Sequence, residues 1–526
     1  MLTLKTIKDL LINNKKNSDN NKPKVYIKSD LHTNIDYIRN TLNNASDLIV
    51  REFKIKEYRC AICLIDGLTK GDYAHDLLLK NLLVDIWTTD KIREIHSVDE
   101  LFDALQSQFI ALLDISVISD FDELFINLLS GDCVLLVDGI AKSITIETKG
   151  WIDRGIVESS SQTLVRGPKD SFNETLRTNT MLIRRRIKDK RLRVESRKIG
   201  RISKTEVAIM YMEGIANDRI VQEVHRRLDR IDIDGIIDSS YIEQMIQDHA
   251  YSLLPTVHNT ERPDTVASSI MCGYVAIVVD NSPFVLLVPG LFVTFTQAAE
   301  DYYHNFYYVT FIRLVRFVSL FLSLLTPGVY IAITTFHQEM LPTLLLISIS
   351  NQREGVPFPV FLEALIMELT FEILREAGIR MPRAIGSAMS IVGALILGEA
   401  AVNAGIVSSF TVIIVSLTAI CSLIIPSYHI SISIRVTRFI FMVLGATFGL
   451  FGIISGLVVL GLYLSSMRSF GVPYLFPFAP LNFEALKDSV IRFPLWKVNQ
   501  RPKLISDNNE TRQSSDRKNN YMGGKT

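Results

Sequence analysis

Apolar, β-branched runs closed by an acidic residue and a Gly or Asn recur four times in the first 290 residues: AICLIDG at 61–67, CVLLVDG at 133–139, AIMYMEG at 208–214 and YVAIVVDN at 274–281. A run of this kind predicts a buried strand entering a tight turn. Between the runs the period changes from two to 3.6. NDRIVQEVHRRLDRI from Asn217 has an Asn cap and places Ile220, Val221, Val224 and Leu228 on one helical face. Strands alternating with helices imply α/β or α+β layers. The second and fourth runs continue as CVLLVDGIAKSITIET and YVAIVVDNSPFVLLV, each reading as a hairpin. The pattern therefore predicts two related subdomains, each with a strand, a helical stretch and a hairpin, joined near residues 150–165.

Beyond residue 300 the alternation gives way to long apolar stretches. Tyr302, Tyr303, Phe306, Tyr307 and Tyr308 precede FIRLVRFVSLFLSLLTPGVYIAITTF, a first spanning helix ending near Phe336 with Pro327 and Gly328 inside it. The aromatic cluster suits the headgroup level, where Arg313 and Arg316 are expected to reach out to the interface. Two further spans are expected at 385–404 and 407–427. The stretch at 436–466 is longer than a crossing needs, so it is tilted, extended beyond the bilayer, or broken near Gly449 and Gly452. LPTLLLISIS at 341–350 is too short to span and reads as a buried or re-entrant piece before the polar turn SNQREGVPFP.

Composition sharpens the boundary. The 526 residues carry 56 basic and 56 acidic side chains and are 48% hydrophobic. Lysine is frequent up to Lys204 and then absent until Lys487, and that interval holds every long apolar run. The fold expected is a cytoplasmic α/β (α+β) N-terminal region of two related subdomains, followed by an α-helical multi-pass transmembrane domain. Its parts are a variable polar segment at 1–24, subdomains at 25–157 and 158–300, a helical transmembrane domain at 301–468 and a polar, partly disordered tail at 469–526. The first 24 residues lack the apolar core and cleavage site of a signal peptide, which agrees with a cytoplasmic soluble half.

Candidate chemistry is sparse. Asp66, Asp138, Glu213 and Asp280 end the four runs, where acidic residues ordinarily form turns rather than an active centre. Cys60 and Cys63 form a CxxC, but an odd separation in a strand puts the thiols on opposite faces. No histidine spacing argues for a metal, and no nucleotide-binding or hydrolase motif stands at a strand end. Neither a cofactor nor an enzyme activity is expected. The basic run RRRIKDKRLRVESRK at 184–198 can touch anionic headgroups or nucleic acid, but a solvated helix and loop is its more ordinary meaning.

The carboxylates of the apolar half need a reason, because a charge at the centre of a lipid-facing helix costs about 2.5–3.5 kcal/mol. From Pro359 to Ala377 the pattern is helical, with Glu368, Glu372, Arg375 and Glu376 on one face and Glu363 beside Phe361, Leu365 and Leu369 on another. Glu363, Glu368, Glu372 and Glu376 are therefore candidate polar-interface or partner-contacting residues. In GSAMSIVGALILGEAAVNAG, Val392, Ile396, Glu399 and Asn403 fall close to one line, and Gly386, Gly393, Ala400 and Ala404 form a line of small residues. Copies of this helix around an axis would set an apolar constriction at Ile396 next to rings of Glu399 and Asn403, as in a gated cation pore. A single buried Glu bonded to a neighbouring helix fits the same residues equally well.

The motifs VRGPKDSF at 165–172, NTERPD at 259–264, DNSPFVLLVP at 280–289, FHQEMLPT at 336–343, EALIMELTFEILREAGIRMP and SFGVPY at 469–474 occur in order. Together they resemble the A subunit of the GerA-type spore germination receptors. The resemblance implies a protein of the spore inner membrane that works with a transporter-like B subunit and a lipoprotein C subunit. It further implies a homo-oligomeric, pentameric channel releasing monovalent cations, in contact with membrane lipid and not with nucleic acid, and nutrient recognition mainly in the B subunit. A paralogous spore-membrane channel that amplifies germination is the alternative within the family. A secondary transporter would need inverted repeats with paired broken helices, and only one short, broken region is found, at 341–357.

Overall fold

The computed structural model describes residues 24–69, 96–110, 115–148, 159, 161–380, 398–506, 509 and 511–512. The first sheet contains β1 (Leu48–Ile55), β2 (Tyr58–Ile65), β3 (Ile115–Ile118), β4 (Cys133–Val137) and β5 (Ser143–Ile146) in the spatial order β1-β2-β4-β5-β3. The second contains β6 (Leu192–Ile199), β7 (Thr205–Met212), β8 (His258–Thr260), β9 (Val275–Val279) and β10 (Val285–Val288) in the order β6-β7-β9-β10-β8. The two orders match position for position, and every neighbouring pair is antiparallel.

Each sheet buries both faces under helices. Cys60 and Ile62 of β2 point to α2 (Val98–Ile110), whereas Ala61, Cys63 and Ile65 point to α1 (Leu31–Thr41) and α3 (Phe121–Leu128). The two thiols thus lie on opposite faces, and burial pushes both up to about 12, where neither is a thiolate at neutral pH. In the second subdomain Ala208 and Met210 of β7 face α4 (Leu176–Arg186) and α7 (Pro263–Met271). Val207 and Ile209 face α5 (Asp218–Asp229) and α6 (Ser239–Ile246).

The acidic residues at the run ends do more than close turns. Asp138 Oδ1 accepts from the Leu31 amide at 3.1 Å, and Asp280 Oδ1 accepts from the Leu176 amide at 3.0 Å. Each thereby holds the first turn of α1 or α4 against the end of its hairpin, satisfying one otherwise orphaned helix amide. The amides of the next turn repeat the match: Asn34 bonds both backbone groups of Lys28, and Asn179 both of Asn173. Asp66 pairs with Arg177 of α4, and Glu213 with Arg193 of β6.

Several sequence expectations are corrected here. The basic run is not a solvated helix and loop: Arg184 is buried against Asp47, Arg186 pairs with Asp170, Lys190 with Asp122 and Arg197 with Asp229. Arg184 and Lys190 join the two subdomains, whereas Arg186 and Arg197 pair within the second. Within the segment read as a polar, partly disordered tail at 469–526, the described residues 469–506 hold apolar side chains packed in the core. Phe470, Val472, Phe476 and Ile505 complete the α5/α6 face of the second sheet. Residues 1–23, 149–158 and 513–526 lie outside the described residues.

The helical half comprises α8 (Phe306–Phe336), α9 (Thr343–Arg353), α10 (Val360–Arg380), α11 (Ser409–Leu423) and α12 (Tyr428–Ser466). Among the described residues α8 and α12 are long and apolar enough to cross a membrane. α12 is broken at Gly449 (φ 61°, ψ −146°), backbone that only glycine adopts readily. The chain folds back there, with Gly456 of the second arm lying against Phe441 and Leu444 of the first. Both feet of this hairpin meet the soluble half, His429 Nε2 at 3.1 Å from Asn259 Nδ2 and Tyr463 donating to Ser252 Oγ at 2.9 Å. Its tip rests on Phe336 and His337. The first arm runs parallel to α8 at close quarters, since a methyl group on Gly445 would meet the Gly328 carbonyl oxygen at 2.5 Å.

Two further expectations change. Arg313 does not reach out to an interface: it is 1% exposed and donates to Asp301 at 2.9 Å and to the carbonyls of Asp488 and Ser489. Arg316 also pairs with Asp301, so both side chains hold the start of α8 against the turn before it, and Arg313 alone also fastens it to the segment at Asp488 and Ser489. The piece at 341–350 is not buried either. It forms most of α9, with Leu344 85% and Ile347 51% exposed and only Ile349 buried.

Because the two hairpin-to-helix bonds are equivalent, their removal should have equal effects. Asp138→Ala and Asp280→Ala are each expected to cost about 1 kcal/mol of stability, and the Asn variants, which keep the acceptor, much less. Chemical unfolding of the purified variants measures both.

Candidate functional site: buried charges between the helices

α10 crosses the bundle antiparallel to the first arm of α12, and its spacing of acidic residues meets a complementary spacing of arginines. Glu368 and Glu372, one turn apart on α10, face Arg438 and Arg435 of α12. Both members of the inner pair are 1% exposed, at 2.6 Å. Arg438 also donates to the Ser323 carbonyl at 2.7 Å and to Ser323 Oγ at 2.9 Å, so α8, α10 and α12 meet at one guanidinium. Glu368 Oε1, Glu372 Oε1 and Arg435 Nε are buried without a hydrogen-bond partner among the described residues. Arg375 follows on α10, donating to Ser422 Oγ of α11 at 2.8 Å and lying 5.1 Å over the Phe371 ring.

Glu363 belongs to a separate cluster. It is wholly buried, and its Oε2 accepts from the Ser408 amide at 3.1 Å and from Ser408 Oγ and Thr411 Oγ1 at 3.0 Å each. Ser408 is the N-cap of α11, so a carboxylate sits at that helix's positive end. Arg353 of α9 reaches Glu363 Oε1 at 3.3 Å. Glu376 is exposed and, among the described residues, pairs only with Arg380 on its own helix.

Of the polar line, Glu399 and Asn403 lie within the helical residues 398–403, and both are exposed on the single chain. Gly398 beside them is buried, 3.6 Å from Val412 of α11 for an added methyl. Val392 and Ile396, with Gly386 and Gly393, lie outside the described residues. The four acidic run ends are not brought together: Asp138 and Asp280 serve separate subdomains. Among the described residues no group of three or more His, Cys, Asp or Glu side chains could hold a metal ion.

Sequence reading found the carboxylates and missed their partners. Arg435 and Arg438 stand at the edge of an apolar stretch, where they read as flanking charges. Their three-residue spacing against the four-residue spacing of Glu368 and Glu372 is the signal that pairs the helices.

The arrangement holds fixed charge inside an apolar bundle and positions helices. The Glu363 cluster gives the sharper test. Glu363→Ala removes the acceptor of the buried Ser408 amide and of two buried hydroxyls that otherwise bond each other, and is expected to cost about 2 kcal/mol, whereas Glu363→Gln keeps one acceptor oxygen and should cost less. Thermal unfolding of the full chain in detergent distinguishes the two.

The sequence matches the family described as Bacillus/Clostridium GerA spore germination protein over residues 36–504. It is 44% identical to spore germination protein KA of Bacillus subtilis, over 94% of this chain and 90% of that one. It is 38% identical to spore germination protein GerLA of Bacillus cereus, over 91% of this chain and 96% of that one. Among solved structures, the N-terminal domain of the A subunit of the Bacillus megaterium spore germinant receptor GerK3 is 34% identical and covers 52% of this chain and 99% of its own, with a TM-score of 0.42. The chain belongs to the GerA family of spore germination proteins.

Proposed function

We propose that this chain is the A subunit of a nutrient germinant receptor in the spore inner membrane and that it couples nutrient sensing to the release of monovalent cations. In this reading the helical half crosses the bilayer several times and the soluble half lies in the cytoplasm as a coupling module. The transporter-like B subunit receives the nutrient, and the lipoprotein C subunit completes the receptor. Membership of the family supports the germination role.

Placement in a bilayer is supported by the outer surface of the helices. Phe311, Val318 and Phe321 of α8 and Phe451, Ile454, Val458, Val459 and Leu462 of α12 are each more than half exposed. An apolar surface of this extent is at home in hydrocarbon. The arms of α12 at 428–448 and 450–466 are each about 25–30 Å long at 1.5 Å per residue, close to the thickness they would cross.

The observation that carries the channel reading is the outward aspect of Glu399 and Asn403. A carboxylate on an exposed face of a helix packed against apolar neighbours needs water or another copy of the chain. Several copies around an axis, five by family resemblance, would turn these residues into an acidic ring, with Ile396 and Val392 continuing the same line.

Two measurements test this. Cysteines placed singly at Val392, Ile396 and Asn403 should crosslink between copies; crosslinks confined to 436–466 would remove this helix from the axis. Glu399→Gln should assemble but conduct cations less well, and Ile396→Ala should leak without germinant, both read as ion flux from spores. A leaky Glu399→Gln beside a silent Ile396→Ala would make the carboxylate a lock between helices.

A further inference from the structure

A cavity of about 860 Å³ lies where the second soluble subdomain meets the helical half. Its helical wall carries Arg316, Arg375, Ser422 and His429, and its soluble wall Glu243 and Asn259. Arg316 is already held by Asp301. Arg375 is different. Among the described residues its hydrogen bond is to Ser422 Oγ and its ring contact is to Phe371, and no carboxylate lies within ion-pair distance of it.

The surroundings make that guanidinium an excess charge. Arg375, Arg435 and Arg438 are three cations in one layer, against the two carboxylates Glu368 and Glu372. Arg435 Nε in the same layer is buried and has no hydrogen-bond partner among the described residues. Three acidic groups line the opposite wall, and among the described residues none of them is within ion-pair distance of Arg375; Glu300 accepts from the Val165 amide at 2.6 Å. Glu243 accepts from Asn259 at 3.1 Å, and burial pushes its carboxyl above the ordinary carboxylate range, favouring the neutral form. Asp238 caps α6 through the Ser240 amide at 3.0 Å and accepts from Ser282.

The rim of the cavity is apolar and open. Ile379, Leu423 and Ile424 line it and are 59%, 71% and 36% exposed. A fitting ligand therefore has a compact anionic head for Arg375 and hydrocarbon for the rim.

We propose that Arg375, with Ser422 Oγ beside it, binds the phosphate group of an anionic phospholipid whose acyl chains lie over Ile379 and Leu423. A guanidinium presents two parallel N–H donors to phosphate oxygens, and a basic pocket between helices at the bilayer surface is a setting for headgroup recognition. This inference rests on the membrane placement proposed above, and not on the channel. It gives the lipid a structural part, since the bound phosphate would neutralise the charge layer that joins α10, α11 and α12.

The test uses the full-length chain in nanodiscs of phosphatidylcholine, alone or mixed with phosphatidylglycerol, and in phosphatidylcholine with free inorganic phosphate. Failure to incorporate into discs at all would count against the membrane placement. For the incorporated protein, phosphatidylglycerol should raise the melting temperature by several degrees and free phosphate should not. An equal rise with free phosphate keeps the anion site but assigns it to a soluble phosphate. Arg375→Gln should abolish the phosphatidylglycerol shift and Ser422→Ala should reduce it. Should Arg375→Gln fail to fold, native mass spectrometry of the wild type, with phosphatidylglycerol retained against Ser422→Ala, reads the same site. No shift with either probe, or a shift that persists in Arg375→Gln, overturns the proposal.

Discussion

Arg438 cannot sit between three apolar helices alone. An unpaired ion buried there would carry a desolvation cost of several kcal/mol, and Glu368 and Ser323 offset it from two other helices. Most of the helical architecture follows from that meeting. With Arg438 against α8 and α10, the first arm of α12 is held in register where Gly328 and Gly445 let the backbones touch. The chain can then turn back only where a residue without Cβ accepts the backbone of Gly449.

The soluble half is tied to the same hairpin. Its loop before β8 holds one foot through the Leu253 carbonyl, which accepts from Ser433, and the other through Ser252, which meets Tyr463. Asp248 at the start of that loop accepts from the Phe470 amide and pairs with Arg227 of α5. The C-terminal segment returns to complete the core of the second subdomain. These short polar contacts link α5 to both ends of α12 and would give the coupling role proposed above a physical route.

Much of the soluble fold was legible because its signals are local. Period-two runs ending in Asp138 or Asp280 specify a strand and a turn, and their repetition exposed the duplication. What was not legible is long-range: the capture of the Leu31 and Leu176 amides by those aspartates, and the pairing of Arg184 with Asp47 across the subdomains, join residues more than a hundred positions apart. In the helical half the glycine break at 449 was visible as one of three possibilities, and the carboxylates were visible as costly. Their partners were not, because arginines at the margin of an apolar run look like interfacial anchors until the neighbouring helix is known. Ile505 shows the opposite failure: in a polar, Asn/Lys-rich context its burial against β-sheet residues has no local signature.

The central claim is that Glu368 and Arg438 act as one unit that fixes the helical half. A double-mutant cycle measures it most directly, with Glu368→Gln, Arg438→Gln and the double variant of the full chain unfolded thermally in the same detergent. If the pair is a unit, each single change costs about 3–5 kcal/mol and the double costs no more than the worse single. Additive losses would mean that the two side chains contribute separately, and that the helices are held together elsewhere.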